Sequence, residues 1–247
     1  MTNKPDARSR RSFIFVPGLR PDMYPKALKS GVDMVCVELE DGIAPKDKSE
    51  ARRAALALFE TPQADDNVER ILRINSVRER FGIEDLSAIL NSKSPPPAIM
   101  MPKVRAADEV VLVDQLLGEA QHLTRIHVII ETNEGLEAAH EIARASTRID
   151  ALFFGAIDMA PELRCDLSWE NLLYARSRVV HAAASAGLDV IDVPHLDLDD
   201  MEGMRIAAEQ ARALGFAGKG SIHPKQIPIL NEVFTPSPEK IARARRV

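Results

Sequence analysis

The chain has 247 residues and a formal charge of −5, from 32 Lys and Arg against 37 Asp and Glu. This mildly acidic balance argues against a general nucleic-acid binder, which would need a dense basic face. Two cysteines exclude a disulfide scaffold and favour a reducing, cytoplasmic location. No apolar run reaches the length of about 18 residues that would predict a membrane-spanning helix.

The length is close to that of one (β/α)₈ barrel, roughly 250 residues. Residues 1–10 are polar and basic and lack the apolar stretch of a secretory signal, so we expect a short disordered tail there. No linker rich in Pro, Gly or Ser divides the remainder. We therefore assign residues 11–247 to a single domain.

Eight short segments have the pattern expected of buried strands. The first seven are almost continuously apolar, which is typical of strands buried on both faces. The eighth, GKGSI, does not have the composition of a strand and is assigned from the regular spacing of the other seven along the chain. In chain order they are Phe13–Val16, Met34–Glu38, Ile71–Ile74, Ala98–Met101, Ile126–Ile130, Ala151–Phe154, Leu188–Ile191 and Gly218–Ile222.

The intervals between these strands carry helical periodicity, with apolar residues three and four positions apart. It is clearest in Ala106–Ala120, Ser168–Ala186 and Met201–Leu214. Eight strands in 247 residues give about 31 residues per unit, the size of a βα repeat. The same pattern is also compatible with a doubly wound open sheet. Because eight βα units account for the whole chain, we favour an α/β fold of the (β/α)₈ TIM barrel type.

Ionisable residues follow most of the predicted strands, at the end of the barrel where active sites lie. Glu131 comes directly after the fifth strand and Asp158 follows the sixth. Two carboxylates on adjacent strands, together with water, form the partly open oxygen site that Mg²⁺ prefers. The alternative is that both are neutralised by Arg or Lys in structural ion pairs.

Basic residues near the same end have two interpretations each. Arg73 could grip a carboxylate or phosphate with its planar fork, or it could neutralise nearby acids. Arg20 and Lys26 flank the first helix start, where backbone N–H groups favour anions, but they could be solvated surface residues. Lys103 could be an inward ammonium or a surface residue, and its position does not decide between them.

Seven motifs give the chain a family likeness. They occur in order over most of residues 11–234 and are RRSFIFVPGLRPDMYPKAL, DMVCVELEDGIAPKDKSEAR, ILRINS, IMMPKV, IIETNEGL, LFFGAIDMAPEL and GFAGKGSIHPKQIPILNEVF. The sequence resembles the citrate lyase beta subunit and malyl-CoA lyase family, within the HpcH/HpaI aldolase group. The resemblance implies a (β/α)₈ barrel, in agreement with the independent count of strands. It also implies carbon–carbon bond cleavage next to a carbonyl, or hydrolysis of related thioesters.

The resemblance implies roles for individual residues. Glu131 in IIET and Asp158 in FGAID are similar to the family's Mg²⁺ ligands. Arg73 in LRIN is similar to the arginine that holds the substrate carboxylate. Glu40 and Asp41 in LED are similar to acids that order the metal's water shell and that arginine.

The same resemblance places Arg20 and Lys26 near the phosphates of the thioester carrier, either CoA or an acyl-carrier group. It further implies a homotrimer or a dimer of trimers. The sequence departs from the family in four places. Glu38 and Glu162 stand where Asp is usual, Arg164 stands where Gly is usual, and we expect the chain to lack the C-terminal helical lid of longer relatives.

Three functions remain open at this point. The first is a Mg²⁺-dependent carbon–carbon lyase of the citryl-CoA or malyl-CoA type acting on a short hydroxyacyl thioester. The second keeps the metal site but hydrolyses the thioester or cleaves a free 2-oxo acid aldol. The third is a non-catalytic barrel that binds a ligand or joins a complex.

Overall fold

The structure, a computed structural model, describes residues 8–61, 67–237, 239, 241, 242 and 246. Its strands are β1 Ser12–Pro17, β2 Met34–Glu38, β3 Glu69–Arg73, β4 Ala98–Met101, β5 Arg125–Ile130, β6 Ile149–Phe154, β7 Asp189–Asp192 and β8 Gly218–Ser221. Its helices are α1 Tyr24–Leu28, α2 Lys48–Glu60, α3 Arg80–Leu90, α4 Ala107–Glu119, α5 Asn133–Glu137, α6 Ala139–Ala143, α7 Ala156–Leu163, α8 Leu173–Ala186, α9 Met201–Leu214 and α10 Ile227–Phe234.

The strands form a closed parallel barrel, which confirms the predicted (β/α)₈ fold. Each strand pairs with the next in sequence, and β8 pairs with β1. The eighth strand, the weakest by composition, is therefore the one that closes the barrel. All four of its residues are buried.

Two apolar layers follow from the alternation of side chains along the strands. One fills the barrel interior and includes Phe13, Met100 and Phe153. The larger layer lies between the strands and the surrounding helices. Helix α8 begins at Leu173, five residues later than predicted, because the Ser168 hydroxyl accepts the Asn171 N–H and forms a local turn instead. Among the described residues, no helix combines the length and apolarity required to cross a membrane.

An ion-pair cluster closes the N-terminal end of the barrel. Arg10 Nε donates to Glu69 Oε2 at 2.6 Å, and Arg10 Nη1 donates to Asp189 at 2.8 Å. On its other side, Glu69 Oε1 lies 2.9 Å from His127 Nε2. Arg10 is the last residue of the segment predicted as a tail, so ordered structure begins before residue 11. Residues 1–7 lie outside the described residues.

Glu69→Gln is expected to lower stability by roughly 3–5 kcal/mol, because it leaves Arg10 without its closest carboxylate. For a chain of this size that corresponds to a fall in Tm of about 6–20 °C. Burial opposes ionisation of Glu69, but the charges and hydrogen bonds of His127 and Arg10 outweigh it and hold its pKa well below the usual range.

The pH dependence follows from that lowered pKa. The stabilisation is complete above the ordinary glutamate pKa of about 4.3 and is lost as the pH falls towards the folded-state pKa. Thermal melts between pH 3 and 8 should therefore show the parent and Glu69→Gln converging in acid. Glu119→Gln, a change at an exposed position, is the control. A constant difference between parent and variant at all pH values would contradict this account.

Candidate active site

The predicted site residues other than Arg20 and Lys26 lie at the C-terminal ends of strands β2, β3, β5 and β6. Glu38 and Arg73 are the last residues of β2 and β3, and Glu131 directly follows β5. Glu40 and Asp41 lie in the loop after β2. The parallel pairing of the strands brings these ends to one mouth of the barrel.

Arg73 is paired with two buried carboxylates. The register of β2 and β3 sets Glu38 beside Arg73, and Arg73 Nε donates to Glu38 Oε2 in a short hydrogen bond. Arg73 Nη1 lies 3.1 Å from Glu40 Oε2. Burial opposes the charge of Arg73, but Glu38 and Glu40 more than offset this and raise its pKa. The guanidinium also lies over the Phe15 ring, 4.6 Å from its centroid. Arg73 therefore neutralises nearby acids, one of the two roles left open by the sequence.

Lys103 joins the acids after β2 to Glu131 after β5. Its ammonium lies 2.6 Å from Glu40 Oε1 and 2.9 Å from Asp41 Oδ1. Its backbone N–H donates to Glu131 Oε1 at 2.8 Å. Lys103 has a φ of +52°, a left-handed conformation that is rare for a residue other than Gly, Asn or Asp. Lys103 is thus an inward ammonium, and the sequence left this undecided.

The electrostatics of Glu40 and Asp41 differ although the two residues are adjacent. Burial raises the pKa of Glu40 to about 7, against the opposing effects of Arg73 and Lys103. Asp41 is half exposed. Its partial burial is outweighed by the hydrogen bond and charge of Lys103, which hold its pKa below the usual range. The pair thus provides one carboxyl that can exchange a proton near neutrality and one that stays ionised.

Glu131 is a buried carboxylate whose strongest neighbouring charges are also acidic. It is 2% exposed, and burial, followed by the charges of Asp158 and Glu40, raises its pKa to about 8. Asp158 lies in the first turn of α7, just after β6. Gly155 precedes that helix, and a Cβ at this position would lie 2.3 Å from Glu131 Oε2. The absence of a side chain at Gly155 therefore makes the space that the Glu131 carboxylate occupies.

These features fit a hard divalent cation. A buried carboxylate repelled by other carboxylates is stabilised when a cation binds between them. Among the described residues, no group of three or more His, Cys, Asp and Glu side chains could hold a metal. Two carboxylates with the remaining positions left to water match Mg²⁺, which keeps several of its waters.

Arg20 and Lys26 are exposed and lie near the end of β1. Arg20 forms hydrogen bonds of 2.9 Å to both carboxylate oxygens of Asp22. Lys26 lies in the last turn of α1. Their contact with a thioester carrier remains a prediction.

The roles of three residues at this site go beyond what the sequence indicates. The sequence does not decide the role of Lys103, marks Glu38 only as a departure from the family, and assigns no role to Gly155. The GAID segment contained a signal for Gly155, since a glycine between a strand and an acidic helix start often marks a close approach. Nothing in the sequence indicated the left-handed backbone of Lys103.

Gly155→Ala is expected to weaken Mg²⁺ binding by about 10- to 100-fold, because it displaces a proposed ligand, and to lower stability by roughly 1–3 kcal/mol. The new Cβ would lie 2.6 Å from Glu131 Cβ, a contact that rotation of the carboxylate cannot relieve. Gly118→Ala, in α4, is the matched control because no atom lies within 4 Å of its added Cβ. Thermal shift titrations with Mg²⁺ measure both effects. Equal Mg²⁺ affinity in Gly155→Ala and the parent would refute this account of Gly155.

Comparisons with known proteins identify the family of this chain. Residues 11–224 match the model of the HpcH/HpaI aldolase/citrate lyase family. The chain is 32% identical to the citrate lyase subunit beta of Escherichia coli K12, over 97% of this chain and 82% of that protein. It is 34% identical to an L-malyl-CoA/beta-methylmalyl-CoA lyase of Cereibacter sphaeroides, over 98% of this chain and 84% of that protein.

A solved structure extends the comparison. CitE of Mycobacterium tuberculosis, in complex with magnesium, acetoacetate and coenzyme A, superposes with a TM-score of 0.78. It is 30% identical, with 95% of this chain and 84% of that chain covered. The chain belongs to the HpcH/HpaI aldolase/citrate lyase family.

Proposed function

We propose that this protein is a Mg²⁺-dependent carbon–carbon lyase that cleaves a short hydroxyacyl thioester, in the manner of a citryl-CoA or malyl-CoA lyase. The observation that carries the proposal is the placement of the Glu131–Asp158 pair and the Arg73–Glu40 pair at one barrel mouth. The relatives named as citrate lyase subunit beta and malyl-CoA lyase support this reaction type.

Glu131 and Asp158 would hold the Mg²⁺. When bound there, Mg²⁺ would supply Lewis-acid stabilisation of negative charge that develops on a substrate oxygen. Lys103 orients Glu131 through its backbone N–H, and Gly155 leaves room for that carboxylate. The presence of magnesium in the related CitE structure supports this assignment.

Arg73 would orient the substrate carboxylate and so fix the position of the reacting carbon. Glu38 and Glu40 hold the guanidinium in place while it does so. This arrangement supports both roles that the sequence left open for Arg73, ion pairing and substrate binding.

Glu40, assisted by Asp41, would carry the proton-transfer step. In the cleavage direction the substrate hydroxyl proton must be accepted while the carbon–carbon bond breaks. The bond's electron pair then goes to the thioester fragment as an enolate, and the other fragment becomes a carbonyl compound. Glu40, with a pKa near 7, is suited to accept and return that proton. Asp41 remains ionised and, with Glu40, holds Lys103.

Arg20 and Lys26 would bind the phosphates of CoA or an acyl-carrier group. Both side chains are exposed, and phosphate groups could compete with Asp22 for Arg20. The coenzyme A in the related CitE structure supports a CoA thioester as the substrate class.

A panel of citryl-, malyl- and methylmalyl-CoA, incubated with the protein and Mg²⁺, tests the proposal. A lyase releases a carbonyl acid and leaves the new acyl group on the thiol, whereas a thioester hydrolase releases free CoA thiol and no carbonyl acid. A phenylhydrazine assay and a thiol assay run in parallel separate these outcomes. Asp158→Asn, which removes one proposed Mg²⁺ ligand, is the inactive control.

Release of free thiol without a carbonyl product would show that the protein is a thioester hydrolase rather than a lyase. Cleavage of free 2-oxo acid aldols alone would indicate an aldolase. No turnover of any compound would favour a non-catalytic ligand-binding or complex-forming barrel. The homotrimer or dimer of trimers also remains a proposal, and sedimentation at the 27.2 kDa monomer mass would refute it.

A further inference from the structure

Lys48 is a buried cation that contacts two loops of the candidate site. It is the first residue of α2 and is 7% exposed. Its ammonium donates to the backbone carbonyl oxygens of Leu39 at 2.8 Å and of Glu40 at 2.6 Å. It also donates to Asn75 Oδ1 at 2.6 Å. Three oxygen acceptors therefore take the three N–H donors of the ammonium.

This position is an unfavourable one for a lysine. The N-terminus of a helix carries partial positive charge, so a cation in the first turn opposes the helix dipole. Burial lowers the pKa of Lys48, and nearby acids, Glu40 first among them, only partly offset that effect. The N-terminus of α2 does not favour a lysine, so Lys48 is held there by its contacts to the loops of the site.

The Asn75 side chain is itself fixed in orientation. Asn75 Nδ2 and its backbone N–H donate to Asp85 Oδ2 at 2.6 and 2.8 Å. Asp85 is 1% exposed and accepts from Arg52 Nε at 2.6 Å. The amide oxygen of Asn75 is therefore turned towards Lys48, and the chain of contacts is anchored on α2 and α3.

Lys48 joins the loop that carries Glu40 to the loop that follows Arg73. Leu39 and Glu40 belong to the loop after β2, and Asn75 belongs to the loop after β3, two residues beyond Arg73. The bonds of Lys48 therefore fix the backbone of Glu40 relative to the segment that follows Arg73.

We propose that Lys48 is a positioning residue that clamps the loop bearing Glu40 and Asp41 against the loop after Arg73. Its ammonium contacts two main-chain oxygens and the Asn75 side chain, and it has no part in the chemical step itself. The proposal rests on the proposed lyase function, because Lys48 would maintain the position of Glu40 relative to Arg73 and Lys103. Misplacement of a reacting group by about 1 Å can cost about 10²-fold in rate.

Lys48→Met tests the clamp, because methionine has a similar unbranched shape but no donor. We expect kcat to fall about 100-fold while KM changes by less than about threefold, the pattern of an interaction expressed in the transition state. The Mg²⁺-dependent rise in Tm should persist, since the ammonium's hydrogen bonds go to Leu39, Glu40 and Asn75 and not to Glu131 or Asp158. Hydrogen exchange should become faster in residues 39–44.

Lys46→Met is the matched control. Lys46 lies two residues earlier in the same segment and is exposed, so all of these measurements should match the parent. Should Lys48→Met fail to fold, Lys48→Arg takes its place. It keeps the cation but replaces the compact ammonium by a planar fork, and we expect kcat to fall about 10-fold.

A folded Lys48 variant with a kcat within twofold of the parent and unchanged exchange in residues 39–44 would overturn the proposal. The hydrogen-exchange measurement needs no turnover. Absence of turnover in the parent would therefore refute the lyase function. The positioning role of Lys48 would still be tested by the rate of hydrogen exchange in residues 39–44.

Discussion

Glu131→Gln is expected to abolish the Mg²⁺-dependent stabilisation of this protein while leaving the metal-free fold as stable as the parent or more so. The amide can still accept the Lys103 N–H, but it lacks the charge that a hard divalent cation requires. In the parent, Mg²⁺ at about 100 times its Kd should add about 2.7 kcal/mol, a rise in Tm of about 5–11 °C. Thermal melts with and without Mg²⁺ measure both effects.

The pH dependence of the metal-free parent gives a second measurement for Glu131. Burial and neighbouring acids raise its pKa to about 8, so the folded state retains a proton that the unfolded chain has released. The parent should lose stability as the pH rises from about 4.3 to about 8, by about 1.4 kcal/mol for each unit of the raised pKa. Glu131→Gln should not show this loss.

Glu134→Gln provides the control for Glu131→Gln. Glu134 lies three residues away in α5, and its side chain is 58% exposed. It should behave as the parent does in every melt. A large loss of stability in metal-free Glu131→Gln, combined with no Mg²⁺ shift in the parent, would show that Glu131 belongs to a structural network rather than a metal site.

Arg73→Met is expected to destabilise the protein by roughly 3–5 kcal/mol, a fall in Tm of about 6–20 °C. It removes a guanidinium that pairs with both Glu38 and Glu40, whose side chains are only 5% and 6% exposed. The double variant Glu38→Gln/Arg73→Met should recover part of that stability, because it also removes the charge of Glu38, which Arg73 no longer neutralises, whereas Glu40 keeps Lys103 as a partner. Urea unfolding of the three proteins measures these differences.

Arg73→Lys separates the electrostatic role of this residue from its geometric role. A lysine keeps the charge, but one ammonium cannot reproduce the fork that reaches Glu38 through Nε and Glu40 through Nη1. We expect most of the stability and the Mg²⁺ shift to remain while kcat/KM falls about 10- to 100-fold, equivalent to about 1.4–2.8 kcal/mol. Full activity in Arg73→Lys would show that charge alone suffices.

The seven apolar strands and the (β/α)₈ class could be predicted because burial on both faces leaves a continuous local pattern. The eighth strand, GKGS, had no such pattern, and its pairing with β1 and β7 makes it a strand. The bounds of α8 were less predictable, because a single side-chain turn at Ser168 competes with the first helical turn. Local composition does not encode that competition.

The residues at the strand ends could be predicted from chain order, since position after a buried strand is a local property. Arg73, Glu131 and Asp158 were therefore recognisable as candidates. Which of these groups meet could not be predicted, because contacts between strands depend on register and on barrel closure. The register of β2 and β3 puts Glu38 beside Arg73. The left-handed backbone of Lys103 lets one residue hold Glu131 and Glu40 together, and such a conformation is selected by its surroundings rather than by the lysine.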